Sequence, residues 1–213
     1  MRKMSGDSEL GCTEHLFKVL VIGDHKVGKS SFVKLYVRNQ FYEELKTSIG
    51  VDFSMKVIDW DAHTRVRLQF WDIAGQERVR GLNRVYFRGS SGAFVVYDLT
   101  SGSSLDGALN WKRELDCQVM LKNGHPIPAV LLANKCDETK VSRRNASLLE
   151  KLCQEKGFTG CFQTSAKPRA PSLGFEAGAH PWCIHLRGCL IPFLRLSAPP
   201  PHHNHFKREY QCG

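Results

Sequence analysis

Gly23-Asp24-His25-Lys26-Val27-Gly28-Lys29-Ser30 follows directly on the apolar run Leu16-Phe17-Lys18-Val19-Leu20-Val21-Ile22, which reads as a buried central strand. A helical pattern, Ser31-Phe32-Val33-Lys34-Leu35-Tyr36, follows it in turn. A strand that feeds a glycine-bearing turn and then a helix aims consecutive backbone N–H groups at one point, with the positive end of the helix dipole behind them. That point suits a phosphate. Lys29 is expected to reach the outer phosphates as a point charge, and the Ser30 hydroxyl to ligate a Mg²⁺ that offsets their charge.

At 213 residues and 42% hydrophobic content, the chain has material for a single core. It is expected to divide into a flexible segment over 1–14, an α/β domain over 15–167 and an irregular Pro/His-rich tail over 168–213. Seven of the nine prolines and five of the nine histidines lie in that tail, and proline at this density blocks helix continuation. The eight cysteines include no CxxC pair, which predicts reduced thiols in the cytosol. The segment before Thr13 lacks the apolar stretch of a signal peptide. Trp182 to Leu196 is too short, and too interrupted by Arg187 and Pro192, to span a bilayer. The net charge of +9 is spread without a basic helix or a base-stacking motif, so no nucleic-acid partner is expected.

Beyond the first helix, residues 37–49 lose periodicity and form an expected exposed connection, with Phe41 left without a core face. Val51–Trp60 and Arg65–Trp71 alternate as two strands of an antiparallel hairpin, turning at 61–64. Gly92–Tyr97 and Pro128–Ala133 are apolar enough to be buried strands, and Cys161–Thr164 is a short last one. Helices are predicted over Ser104–Met120, ended by Asn123-Gly124, and over Ser142–Glu155. Strands alternating with helices predict an α/β fold: a doubly wound, mostly parallel six-stranded sheet with one antiparallel edge strand.

The polar motifs fall at strand ends, where such a sheet meets its ligand. Asp72, closing the second hairpin strand, is expected to hold Mg²⁺ through a water, because Mg²⁺ dehydrates reluctantly. Gly75 offers a backbone N–H to the terminal phosphate, and Gln76 can orient an attacking water. Asn134, Lys135 and Asp137 supply a base-reading loop. A carboxylate accepting two N–H donors favours guanine, whose N1–H and exocyclic amine point together.

The motifs in this order resemble those of Ras-superfamily small GTPases of the Rab family. The Rab character lies in Ile49-Gly50-Val51-Asp52-Phe53, in Leu68-Gln69-Phe70-Trp71-Asp72-Ile73-Ala74-Gly75-Gln76-Glu77-Arg78, in Val85-Tyr86-Phe87-Arg88-Gly89 and in Tyr97-Asp98-Leu99-Thr100. Ile73 and the run from Asn123 to Asp137 resemble the Rab subgroup serving melanosomes and other lysosome-related organelles. The resemblance implies a GTP/GDP switch with Mg²⁺, in which residues 23–31, Ser31 included, cradle the phosphates and Lys29 and Gln76 serve hydrolysis. It also implies that Phe41 stacks on the guanine, that Ser48 ligates Mg²⁺ and senses the γ-phosphate, and that Ser165, Ala166 and Lys167 complete the base site. Phe53, Trp71 and Tyr86 match the aromatic triad read by Rab effectors. Exchange factors, GTPase-activating proteins and effectors are the implied partners. The implied location is the cytosolic face of endosomal or lysosome-related membranes if a lipid anchor is present, and the cytosol otherwise.

Two departures qualify the resemblance. His25 and Lys26 stand where relatives carry small or uncharged residues, and crowding by an imidazole there predicts slow hydrolysis. After Lys167 the chain turns to Pro168 and ends Gln211-Cys212-Gly213, where the family has a terminal helix and a prenylated, commonly paired, cysteine tail. The terminal helix is therefore expected to be missing or replaced, which leaves the membrane anchor open. The alternative to a cycling switch is a non-switching or unstable product that binds or sequesters.

Overall fold

The computed structural model describes residues 12–38, 49–78, 83–138 and 143–167. Six strands form one sheet: β1 (Thr13–Ile22), β2 (Val51–Asp61), β3 (Thr64–Ile73), β4 (Gly92–Asp98), β5 (Ala129–Asn134) and β6 (Gly160–Gln163). Their order across the sheet is β2-β3-β1-β4-β5-β6, parallel throughout except for β2, which pairs antiparallel with β3 at one edge. The helices are α1 (Lys29–Arg38), α2 (Asn83–Phe87), α3 (Gly102–Gln118) and α4 (Arg143–Glu155), with a 3₁₀ turn at Gly75–Arg78.

The continuous apolar runs become strands because both sheet faces are covered. On one side Phe32 and Val33 of α1 pack with Val19, Val21, Leu68, Phe70, Phe94 and Val130. On the other, Trp111 and Leu115 of α3 and Cys153 of α4 pack with Leu20, Ile22, Val95 and Leu131. Strand alternation sends successive residues to opposite clusters, which makes the sheet doubly wound. Trp111 is the largest fully buried side chain among the described residues, and burying a side chain of this kind contributes about 1.5–3 kcal/mol.

Several boundaries differ from the sequence reading. β1 starts at Thr13, so Thr13 and Glu14 belong to the sheet and not to the N-terminal segment. Parallel pairing with β3, beginning at Thr13↔Thr64, holds them there. Leu16, read as buried, is 62% exposed. Alternation sends Leu16 to the face opposite Phe17, and of the two only Phe17, 3% exposed, joins a core cluster of the described residues. The hairpin turn shrinks to residues 62 and 63. Helix α3 ends at Gln118, because Val119 is already extended at φ −134. Asn123-Gly124 instead forms the tip of a tight loop closed by Leu121 and His125, with Gly124 at φ +79 where glycine is favoured. Phe41, Ser48 and the tail after Lys167, including the expected loss of a terminal helix, lie outside the described residues.

Candidate functional site

Because β1, β3, β4, β5 and β6 run parallel, their C-terminal ends share one edge, and every described site residue sits on or just beyond it. The loop from Gly23 to Gly28 turns on two left-handed glycines, at φ +146 and +93, with Lys26 forced to +63 between them. A non-glycine residue there carries about 1–3 kcal/mol of strain, which the surrounding packing holds in place. Lys29 is buried, and its Nζ donates to the carbonyls of Gly23 at 3.0 Å and Asp24 at 2.8 Å. Burial pushes its pKa down, against the opposing charges of Asp72 and Asp24. The lysine is thus folded back along the loop that it would help to close around an anion.

Ser30 and Asp72 meet as the hydroxyl donates to Oδ2 of the carboxylate. Asp72 is 2% exposed, and its Oδ1 has no hydrogen-bond partner among the described residues. Burial raises its pKa, with Ser30 and Lys29 pulling the other way. A buried acceptor left open beside a serine hydroxyl is a donor set that suits a hydrated, oxygen-seeking divalent cation. The residues present therefore fit Mg²⁺.

The base loop is tied to the phosphate loop through Asn134. Its Nδ2 donates to the Val27 carbonyl at 2.8 Å, and its Oδ1 accepts from Thr164 Oγ1 at 3.2 Å. One 1%-exposed amide thereby joins the three loops after β1, β5 and β6. Lys135 sits at φ +62 and its Nζ pairs with Asp98 Oδ2 at 2.6 Å. Burial works against the Asp98 charge, but Lys135 and Thr100 outweigh it and hold the carboxyl below its usual range. Asp137 is exposed, and its Oδ1 accepts from Ser165 Oγ at 2.5 Å. Ser165 Oγ also accepts from the Lys167 amide at 3.1 Å. Ser165 and Ala166 are buried, whereas Lys167 is exposed.

A family model described as the Ras family matches residues 18–171. The Ras-related protein Rab-32 of Sus scrofa is 56% identical over 154 residues, covering 72% of this chain and 68% of that protein. Rab-32 of Homo sapiens is 52% identical over 171 residues, covering 76% of each. The Ras-related protein Rab-7L1 of Homo sapiens is 44% identical over 160 residues, covering 74% of this chain and 77% of that protein. This chain belongs to the Ras family. Within it the chain is a Rab: a guanine-nucleotide-binding switch of membrane traffic that hydrolyses GTP, regulated by exchange factors and GTPase-activating proteins and read by effectors.

In this Rab the turn after β3 lies against the phosphate loop. A Cβ placed on Gly75 would fall 2.4 Å from the His25 amide nitrogen and 2.6 Å from the Asp24 carbonyl carbon, so only glycine fits the approach. Gln76 is exposed beside it, as are the His25 and Lys26 side chains. The Ala74 amide donates to the Gly50 carbonyl at 2.9 Å, linking the end of β3 to the entry of β2.

The aromatic triad is uneven. Phe53 is 55% exposed and stands edge-on to Trp71 with centroids 4.5 Å apart. Trp71 and Tyr86 are half-buried against the α3-side cluster. Lys18 Nζ lies 3.5 Å from the Trp71 ring centroid and donates to the Arg88 carbonyl at 2.8 Å, which pins the indole from below.

Trp111 belongs to this site although its place in a helical apolar pattern marks it only as core. Its Nε1 donates to Asp24 Oδ1 at 3.0 Å. Gly107, one turn earlier, makes the room: a Cβ there would fall 1.7 Å from Asp24 Oδ2. Asp24 therefore connects α3 to the carbonyl that receives Lys29. The one legible hint was a glycine spaced four residues before a tryptophan inside a helix, where glycine is otherwise costly. Thr100 braces the Asp98 carboxylate as well. Its amide and hydroxyl both donate to Asp98 Oδ1, a local turn that the spacing Asp98-Leu99-Thr100 would have suggested.

Proposed function

We propose that this Rab binds GTP or GDP with Mg²⁺ along the strand-end edge and switches effector recruitment in traffic to lysosome-related organelles. The observation that carries the nucleotide part is the Asn134 bridge, which makes the phosphate loop and the base loop parts of one rigid cradle. In this reading the backbone amides of residues 23–31 and Lys29 take the phosphates. Asn134, Lys135 and Asp137, with Ser165, Ala166 and Lys167, take the guanine. Ser30 and Asp72, with Ser48, hold the cation, which when bound offsets phosphate charge and links the outer phosphates to the protein. Phe41 completes the base site. Gly75 offers its amide to the terminal phosphate and Gln76 orients the attacking water, so that water adds to the γ-phosphorus as the bond to the β–γ bridging oxygen breaks.

Loss of the γ-phosphate removes the tethers on the segments 42–50 and 74–87. Phe53, Trp71 and Tyr86 would then present effectors with a surface whose surroundings depend on the nucleotide. The organelle assignment is supported by Ile73 and the Asn123–Asp137 run, and by the similarity to Rab-32. No described helix is long and apolar enough to cross a membrane, and the proposed association is peripheral, on the cytosolic face.

Hydrogen exchange of the full chain loaded with a non-hydrolysable GTP analogue and with GDP tests the switch. Slower exchange over residues 42–87 in the GTP-like state is expected; identical protection in both states would leave only a static binder. His25 gives a second test. Its amide abuts Gly75, next to Gln76, and in the proposed mode its exposed imidazole crowds the attacking water. Single-turnover hydrolysis by His25→Gly is expected to run about tenfold faster than the parent, a barrier change of about 1.4 kcal/mol, and equal rates would discard the crowding explanation.

A further inference from the structure

Strand alternation settles which way the β6 side chains face. Phe162 packs with the cluster on the α1 side, and its neighbour Cys161 with the cluster on the opposite side. Helix α4 lies on that opposite side, in contact with β6, and its Cys153 is part of the same cluster. The two cysteines thus share one cluster at the contact of α4 with β6, and a hydrogen bond from Cys161 draws the Cys153 pKa down, against burial. Tyr97 of β4 belongs to the same cluster. The cysteines differ in access: Cys153 is 4% exposed, whereas Cys161 is only half-buried.

We propose that Cys153 and Cys161 form a dithiol modification site that hydrogen peroxide closes to a disulfide linking α4 to β6. Cys161, the accessible member, reacts first. Its sulfur attacks one peroxide oxygen, the O–O bond breaks, and the departing hydroxide takes the thiol proton and leaves as water. The Cys153 sulfur then attacks the sulfur of the resulting sulfenic acid, the S–O bond breaks, and the Cys153 proton goes with the leaving oxygen as a second water. Two thiols are oxidised by two electrons in all, and one peroxide is reduced to two waters. Cys153 suits the second step by position: it is buried in the cluster against which Cys161 packs, on the helix that contacts β6. The link would join α4 to the strand that runs directly into Thr164 and Ser165, and so to one side of the base-contacting loops.

The test uses the full GDP-loaded chain, treated with limiting hydrogen peroxide, alkylated and digested with trypsin. Lys156 lies between the two cysteines, so the disulfide appears as a peptide pair that dithiothreitol separates. The pair is expected to form in the parent and to be absent from Cys161→Ser, whose Cys12 and Cys117 react as before. In Cys153→Ser, Cys161 is expected to persist as a sulfenic acid trapped by a cyclic 1,3-diketone. The proposal is overturned if peroxide consumes Cys12 or Cys117 while Cys153 and Cys161 both remain open to alkylation. It is equally overturned if Cys161 proceeds to sulfinic acid in the parent with Cys153 still free. Should Cys153→Ser fail to fold, the parent and Cys161→Ser decide the matter by themselves.

Discussion

Gly28→Ala is expected to remove guanine-nucleotide binding almost entirely, with an affinity loss on the order of 10²–10³-fold. Two effects combine. Gly28 sits at φ +93, where an L side chain costs about 1–2 kcal/mol. The added Cβ would also lie 2.3 Å from Asn134 Nδ2. Asn134 cannot swing away cheaply, because it is buried and bonded at both ends to Val27 and Thr164. Displacing it forfeits two buried hydrogen bonds at about 1 kcal/mol each, and at about 1.4 kcal/mol per decade the sum reaches the stated range. Titration with a fluorescent GDP analogue measures the loss, and circular dichroism checks that the variant is folded. An affinity within threefold of the parent would mean that the two loops do not act as one cradle.

Asp137→Asn is expected to exchange the base preference of the site. In the proposed mode the carboxylate accepts from the two N–H donors of guanine, and Ser165 Oγ orients it from the other side. An amide turns one of those acceptors into a donor and sets it against a guanine donor. A site built to hydrogen-bond its ligand rejects a mismatched one by up to about 10⁴-fold. Here the exposure of Asp137 lowers the expectation to about 10²-fold against GDP. Xanthosine diphosphate, which carries a carbonyl in place of the amine, is expected to bind the variant better than GDP does. Competition between the two nucleotides reads this directly, and an unchanged GDP preference would remove Asp137 from the base site.

The parts of the fold and site that could be read in advance are local ones. The loop Gly23–Ser30, Asp72 closing a strand and the Asn134-Lys135-Cys136-Asp137 run each carry their chemistry within a few residues. Their strand-end positions follow from apolar runs that only a sheet covered on both faces can bury. The phosphate loop, the antiparallel edge strand and the alternation of strands and helices were legible for that reason. Element ends were less so. Leu16 reads as core because its neighbours are core, yet it lies on the face opposite Phe17, where it joins no core cluster of the described residues. The end of α3 at Gln118, five residues before the Asn-Gly pair that seemed to stop it, was decided by the extended Val119 and the Met120↔Pro126 bridge.

The amino-acid sequence alone singled out the residues proposed to take phosphate, metal and guanine, because each of those groups needs a short motif at a strand end. Tertiary structure alone decided how those groups are coupled. Asn134 reaches Val27 across 107 residues and Trp111 reaches Asp24 across 87, and Cys153 and Cys161 share one cluster because α4 packs on β6. Apart from the Gly107–Trp111 spacing, such pairings have no local signature. They arise where the register of neighbouring strands and the packing of a helix bring two side chains to one point, and register is a property of the whole sheet.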